Sequence, residues 1–327
     1  EDVVVTISHL GYLKRVPLTE FRTQNRGGIG VKGSSTRNED FLEYMFMAHN
    51  HNTMLFFTQK GRCYWLKVYE IPEGTKGSKG RAVQNLIQLP TDDRINAFIN
   101  VESLADENYI QNHFIVLATR KGVVKKMPLQ AFSRPRQNGI NAMQLKEGDT
   151  LIEAKLTNGN SEILLASKYG KTLRFSEEKI RAMGRMARGV RGIKLADEND
   201  ETVGMVCVEE KDQDILVVSE KGFGKRSKLE DYRITNRGGK GVKTMNISKK
   251  TGSLIGIKVV NDEQDLMIIN KSGIILRIPV ADLRITGRTA QGVKLINIRG
   301  KDSIASIINV PAGSKEYIQK DDEDEME

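Results

Sequence analysis

The stretch Asp265-Leu-Met-Ile-Ile-Asn-Lys-Ser-Gly-Ile-Ile-Leu-Arg-Ile-Pro279 decides the fold. Two short apolar runs flank Lys271-Ser272-Gly273, and glycine accepts a positive φ without steric cost, so the segment reads as a tight β-hairpin. Pro279 ends the return strand, because it has no N–H to give to a ladder. A polar crossover from Ala281 to Gln291 follows. Gly292-Val-Lys-Leu-Ile-Asn-Ile298 then reads as a third strand and Ser303-Ile-Ala-Ser-Ile-Ile308 as a fourth.

The same order occurs six times. The turn glycines are Gly11, Gly61, Gly122, Gly170, Gly222 and Gly273, spaced by 50, 61, 48, 52 and 51 residues. A second glycine follows each one: Gly30, Gly80, Gly139, Gly189, Gly241 and Gly292, at 19 residues in five copies and 17 in the third. Further hairpins are expected at Glu162–Phe175 and Asp214–Arg226, third strands at Gly189–Leu195 and Gly241–Ile247, and fourth strands at Thr202–Val208 and Leu254–Val260. Phe41–Ala48 has some helical character, but it aligns with the fourth strand and is read as one.

A fixed period of this length means one supersecondary unit per copy. A lone four-stranded unit buries too little to be stable, so neighbours must stack, and closing the array protects its strand edges. The expected fold is all-β: a propeller-like ring of six four-stranded blades over residues 1–313, with an acidic tail at 314–327.

The formal charge is +9, yet 321–327 hold six acids, and setting them aside raises the remainder to +15. A basic body suits a polyanion, and the tail is either a solvated end or a competitor for the same surface. No apolar run approaches the ~20 residues of a membrane helix. Cys63 and Cys207 lie far apart in strand-like runs and read as buried free thiols, which fits a reducing cytosol. The opening residues Glu1-Asp2-Val3-Val4-Val5 have no initiator Met and no signal-peptide pattern, as expected of a piece of a longer protein.

The basic residues keep the register of the repeat. Four residues after the turn glycine stand Arg15, Trp65, Lys126, Arg174, Arg226 and Arg277; one place earlier come Lys14, Lys125 and Lys225. Eleven after it stand Arg22, Pro72, Ser133, Arg181, Arg233 and Arg284, with Arg134 one later in the third copy. Fifteen after it stand Arg26, Lys76, Gln137, Arg185, Arg237 and Arg288. Lys79 and Lys240 precede the second glycine, and two residues beyond it come Lys32, Ala82, Asn141, Arg191, Lys243 and Lys294. Equivalent positions in a ring lie on equivalent surfaces, so these residues predict a positive band, thinnest in copies two and three. Duplex phosphates form the complementary line of charge, and contacts to them position DNA without reading its sequence. Smooth bending of a 20–30 bp site by 40–90° costs about 1–6 kcal/mol, which many charge contacts can offset.

Two crossovers are more specific: Gln24-Asn25-Arg26-Gly27-Gly28-Ile29-Gly30 in copy one and Thr235-Asn236-Arg237-Gly238-Gly239-Lys240-Gly241 in copy five. Adjacent glycines can form a backbone nest for an anion, and an adjacent Arg can fork onto phosphate oxygens. No Gly-Lys-Ser/Thr follows, so neither is a nucleotide P-loop.

On these residues the chain resembles the C-terminal DNA-wrapping domain of the bacterial DNA gyrase A subunit. Gln24–Gly30 is similar to that family's box, Gln-(Arg/Lys)-Arg-Gly-Gly-(Arg/Lys)-Gly, with Asn25 and Ile29 standing where basic residues are usual. Tyr12-Leu-Lys-Arg15, Tyr69-Glu-Ile-Pro72, Arg181-Ala-Met-Gly184 and Gly287-Arg-Thr-Ala-Gln-Gly292 are also family-like. The resemblance implies a β-pinwheel whose blades exchange strands. It further implies duplex DNA bent around the rim in a right-handed wrap, with the box at one end, so that the enzyme introduces negative supercoils. The partners it implies are double-stranded DNA, the N-terminal part of the same polypeptide, and gyrase B in an A2B2 assembly. The isolated domain would be monomeric, bacterial, cytoplasmic and nucleoid-associated.

No catalytic constellation is visible. The resemblance puts the Tyr nucleophile in the N-terminal part of the polypeptide, with ATP and Mg elsewhere in the holoenzyme, so no cofactor is expected in this chain. His49 and His51 lack a third ligand, so no metal is expected either. Trp65 reads as packed. Two other readings stay open: the related domain of topoisomerase IV, against which the box argues, and a propeller scaffold that binds proteins.

Overall fold

A computed structural model describes residues 1–17, 40, 42–75, 77–272, 274–288 and 290–311. These form six antiparallel sheets, five of four strands and a sixth with three strands among the described residues. The first hairpin strands are Asp2–Ser8, Thr53–Thr58, Phe114–Thr119, Glu162–Ser167, Asp214–Ser219 and Gln264–Asn270. Their return strands are Tyr12–Pro17, Arg62–Lys67, Val123–Pro128, Lys171–Ser176, Phe223–Lys228 and Ile275–Pro279. The expected fourth strands are present as Leu42–His49, Ile95–Val101, Leu151–Thr157, Thr202–Val208, Leu254–Val260 and Ile304–Pro311. Each pairs with the first strand of its own copy and lies innermost. Five residues, Glu107–Gln111, form an α-helix, capped by the Asp106 side chain.

The third strands differ from expectation. Seven-residue strands are expected at Gly189–Leu195 and Gly241–Ile247, but only Val190–Arg191 and Val242–Lys243 are paired. They also pair with the preceding copy: Val190 opposes Val124, Val242 opposes Thr172, and Val293 opposes Gly224. Arg81–Ala82 and Ile140–Asn141 do the same in the first two sheets. The fourth and outermost strand of each of these sheets is therefore donated by the next copy, as the resemblance implied.

Steric demand at the glycines explains this exchange. Gly61, Gly122, Gly170 and Gly222 hold φ between +87 and +92, and a Cβ there would lie 2.5–2.8 Å from a carbonyl oxygen of the incoming copy. At the other end of the donated segment, Gly189 has φ +88, and a Cβ would lie 2.5 Å from the Val124 oxygen. Both glycines of the repeat thus mark a close approach of one copy to the next.

The first strands are apolar on both faces because each sheet is sandwiched between neighbours. Met54 and Phe56 pack towards the first sheet with Val3 and Val5, while Leu55 and Phe57 pack towards the third with Ile115 and Leu117. Val116 and Ala118 then join Ile163 and Leu165, and Leu216 and Val218 join Leu266 and Ile268. Successive side chains on a strand point to opposite faces, so one continuous apolar run feeds two interfaces. Each such buried side chain contributes roughly 1.5–3 kcal/mol relative to exposure. Met45 of the first sheet packs against Met267, Ile269 and Ile308 of the sixth, closing the ring into a six-bladed propeller.

Candidate nucleic-acid interface

The donated strands and the crossovers leading into them form the outer edge of each sheet. Arg81, Arg191, Lys243 and Lys294 all stand exposed on these outermost strands, where the second sheet has Asn141. Arg134, Arg181, Arg185, Arg233, Lys240 and Arg284 are exposed on the crossovers. Lys79 is exposed too, its ammonium 4.3 Å from the centroid of the Tyr12 ring. These residues set solvent-facing cations along the outer edges of the first five sheets.

Two registers expected on these edges lie beneath them. Arg174 and Arg226 are only 7% and 5% exposed. Arg226 donates to Asp214 (2.8 Å) and to the Val280 carbonyl of the next copy (2.9 Å). Arg174 pairs with Glu162 and donates to the Leu229 and Tyr232 carbonyls at 3.1 and 2.7 Å. Arg15 reaches the Ile71 carbonyl at 2.7 Å, and Arg277 holds Asp265 at 2.7 Å. Lys126 pairs with Glu177 at 3.2 Å. Burial raises the Glu177 carboxyl, but hydrogen bonds from Thr157 and Ser161 and the Lys126 charge outweigh it and hold the group below its usual range. Trp65 donates its indole N–H to the Phe132 carbonyl at 2.9 Å, doing with a neutral ring what the arginines do elsewhere. In the first five sheets this register is a staple between blades, whereas Arg277 holds Asp265 within its own sheet.

The lysines one place earlier are a second set of props. Lys125, fully buried, donates to the carbonyls of Ala142 and Arg185 at 2.8 and 2.9 Å. Lys225 donates to those of Arg288 and Ala290, and Lys14 to those of Thr75 and Ser78. Desolvation pulls the Lys125 and Lys225 amines down to about 8. Lys14, Lys125 and Lys225 therefore hold up the crossover backbones from inside the sheet. The sequence registers could not separate props from exposed cations, because both repeat with the fold.

The half-buried Arg237 and Arg288 combine both roles. Arg237 donates to the Lys179 and Arg191 carbonyls at 3.1 and 2.6 Å, and Arg288 to those of Asp231 and Lys243 at 3.1 and 2.6 Å. Each crossover is thereby fastened to the outermost strand of the sheet before it. In the fifth copy the Gly238 amide donates to the Gly192 carbonyl at 2.8 Å, so this amide of the expected nest is already bonded. Gln24, Asn25, Arg26, Gly27, Gly28, Ile29 and Gly30, together with Arg22, Lys32 and Lys76, lie outside the described residues.

Sequence reasoning missed Arg81, Arg136, Arg188 and Lys171, all exposed. Arg81 sits one place before Ala82, so strict alignment scored the second copy as uncharged there. Lys171 directly opposes Lys243 across the outermost pair of the fourth sheet, a like-charge pairing that favours an anion above it.

Away from the rim, the six inner strands line a central cavity of about 470 Å³ that includes Tyr44, Phe98, Lys155, Cys207, Lys258 and Asn309. Cys207 and Cys63 are free thiols; burial pushes the Cys207 thiol up to about 12 and that of Cys63 well above its ordinary value. The imidazoles of His49 and His51 lie with centroids 5.4 Å apart, their planes tilted by 32°. Among the described residues no cluster of three His, Cys, Asp or Glu could hold a metal, and no helix is long and apolar enough to cross a membrane.

The family model described as the DNA gyrase C-terminal domain, beta-propeller, matches residues 2–48, 52–102, 113–158, 161–209, 213–261 and 264–311, one match per copy. The A subunit of DNA gyrase from Staphylococcus aureus (strain MRSA252) is 44% identical over 327 residues, covering 100% of this chain. The chain spans 36% of that relative's length. Among solved structures, the C-terminal domain of DNA topoisomerase IV is similar at a TM-score of 0.78 and 26% identity, over 100% of this chain and 99% of that one. A DNA gyrase A C-terminal domain reaches a TM-score of 0.75 over 95% of this chain and 100% of its own; at 24% identity that likeness speaks for the fold alone.

Proposed function

This chain belongs to the family of DNA gyrase C-terminal β-propeller domains, and from that premise we propose that it binds duplex DNA along its outer edge and bends it around the ring. The observation that carries this reading is the exposure of Arg191, Lys243 and Lys294 at one station of three successive outermost strands, with Arg81 exposed one residue away on the first. Cations at one station of successive blades make a curved track, and a stiff polyanion that follows it must bend. The contacts would be to phosphate, so binding is sequence-tolerant and strongly salt-dependent. The bend is a right-handed wrap that presents one DNA segment to the rest of a gyrase A polypeptide. Strand passage by the A2B2 enzyme, with its ATP and Mg held elsewhere, then yields negative supercoils. Gln24–Gly30 is the clamp at one end of the wrap, and 314–327 supply an acidic tail, in a molecule that works in the bacterial cytoplasm. Identity of 44% to a gyrase A polypeptide over the whole chain favours this reading over topoisomerase IV.

Ligation of nicked circular DNA in the presence of the domain tests the reading. A positive linking-number shift that vanishes as salt rises is expected. An unshifted distribution together with salt-insensitive binding would sink it. In the full enzyme, alanines across Gln24–Gly30 should abolish supercoiling while DNA relaxation persists.

A further inference from the structure

Three neighbouring blades carry large apolar side chains out in the basic band. Ile234 is 56% exposed, Ile285 43% and Met186 76%. Ile234 and Ile285 occupy the same place in successive copies, one residue after Arg233 and Arg284. Both sit on rigid backbone. Ile234 forms a parallel bridge with Arg174 and Ile285 one with Arg226. The following amides, Thr235 and Thr286, donate to the carbonyls of those same arginines at 2.9 and 2.8 Å. The bridges run along the outer edge of the return strand, the edge that also carries Lys243 or Lys294 three residues away. Each isoleucine is therefore an apolar point on a fixed base, with an exposed arginine next to it and a fastened arginine, Arg237 or Arg288, three residues on. The first sheet has Glu73 at the bridged position, and among the described residues from 71 to 82 no large apolar side chain is exposed.

Scattered exposed hydrophobics are ordinary on a protein surface. Two isoleucines at one repeat position, anchored by buried arginines and framed by exposed ones, form a pattern of a different kind. Apolar side chains set among cations are the means by which proteins wedge base steps or rest on deoxyribose while phosphates are held on either side. We propose that Ile234 and Ile285, with Met186 on the crossover of the copy before them, are wedges that touch the sugar and base edges of bound DNA and localise its bending to the third, fourth and fifth blades. This rests on the DNA-wrapping function proposed above and adds to it: the phosphate contacts supply affinity, and the wedges decide where the duplex bends.

The test is the double variant I234S/I285S against I234L/I285L, each as the intact chain. Duplexes with 2-aminopurine at successive positions read local unstacking, and nicked-circle ligation reads the wrap. The wild-type chain and the leucine variant should give discrete bright positions. The serine variant should lose them and retain about half of the linking-number shift, with the salt slope unchanged because no phosphate contact has gone. Uniform 2-aminopurine signal for the wild-type chain, or an unaltered shift for the serine variant, overturns the proposal while leaving wrapping intact. Absence of any wild-type shift would instead remove the wrapping function itself. Loss of binding by the serine variant with an unchanged melting temperature would make these residues affinity anchors and also overturn the wedge role.

Discussion

Replacing Arg226 by Met separates the two classes of cation in this ring. The substitution keeps much of the aliphatic stem and removes the guanidinium, so lost packing is a minor part of the effect. The guanidinium is 5% exposed and makes bonds of 2.8 Å to Asp214, 2.9 Å to the Val280 carbonyl and 2.7 Å to Asp262. Asp262 is 69% exposed, and its pairing is worth at most about 1 kcal/mol. Asp214 is 16% exposed, and stripping its partner costs about 3–5 kcal/mol. The Val280 carbonyl, left without this donor inside a packed seam, contributes about 1–3 kcal/mol of the same loss rather than a separate sum. A net destabilisation of about 3–6 kcal/mol lowers the melting temperature by about 4–9 °C for a chain of this size. Differential scanning calorimetry measures this, and fluorescence anisotropy across a salt series measures DNA binding well below the melting range. The slope of log affinity against log salt should stay put, since no phosphate reaches a group held between blades. A variant that melts like the wild-type chain but loses about 0.9 from that slope would refute the reasoning, because that is the signature of one lost phosphate contact.

Lys243→Ala or Lys294→Ala should give the reverse result: each lowers the salt slope by about 0.9 and shifts stability by no more than about 0.5 kcal/mol. Gly189→Ala forces a Cβ into the Val124 oxygen at φ +88 and should cost about 1–3 kcal/mol, read as faster hydrogen exchange at Val190 and Arg191. The Lys125 and Lys225 amines, at about 8, lie below the ordinary lysine value in the folded ring, so between pH 8 and about 10 the unfolded chain holds protons that the folded one has released. Stability from these two groups therefore rises with pH across that window, and urea titrations of K125M/K225M should show a flatter pH profile than the wild-type chain. Deleting 321–327 should tighten DNA binding at low salt if the acidic tail competes with phosphate; an unchanged salt titration would count against that competition.

The fold was legible because its signals are local and repeated. A turn glycine between apolar runs specifies a hairpin whatever surrounds it, and six copies of one signal leave few architectures besides a ring. The inner strands were readable to the residue at Thr202–Val208 and Leu254–Val260, since both ends fall at polar turns. The third strands were misjudged because Val190-Arg-Gly-Ile-Lys-Leu195 has strand-like composition throughout, while pairing stops after Arg191. Beyond that point the chain leaves the ladder, and Ile193 turns into the core between two sheets.

The sequence by itself determined the number of blades, the places of close backbone approach and the fact that charge repeats in phase with the fold. All three follow from residue type and spacing alone: glycine where a Cβ has no room, apolar runs where both faces are covered, cations at a constant offset. Which cations face solvent was decided only by the tertiary structure. Arg174 and Arg191 each hold a basic register of the repeat, yet one is enclosed by carbonyls of the next copy and the other is exposed. Burial depends on what the neighbouring copy lays over a residue. Because each of these blades is completed by the next, the Leu229 and Tyr232 carbonyls that cover Arg174 lie 55 and 58 residues further along the chain.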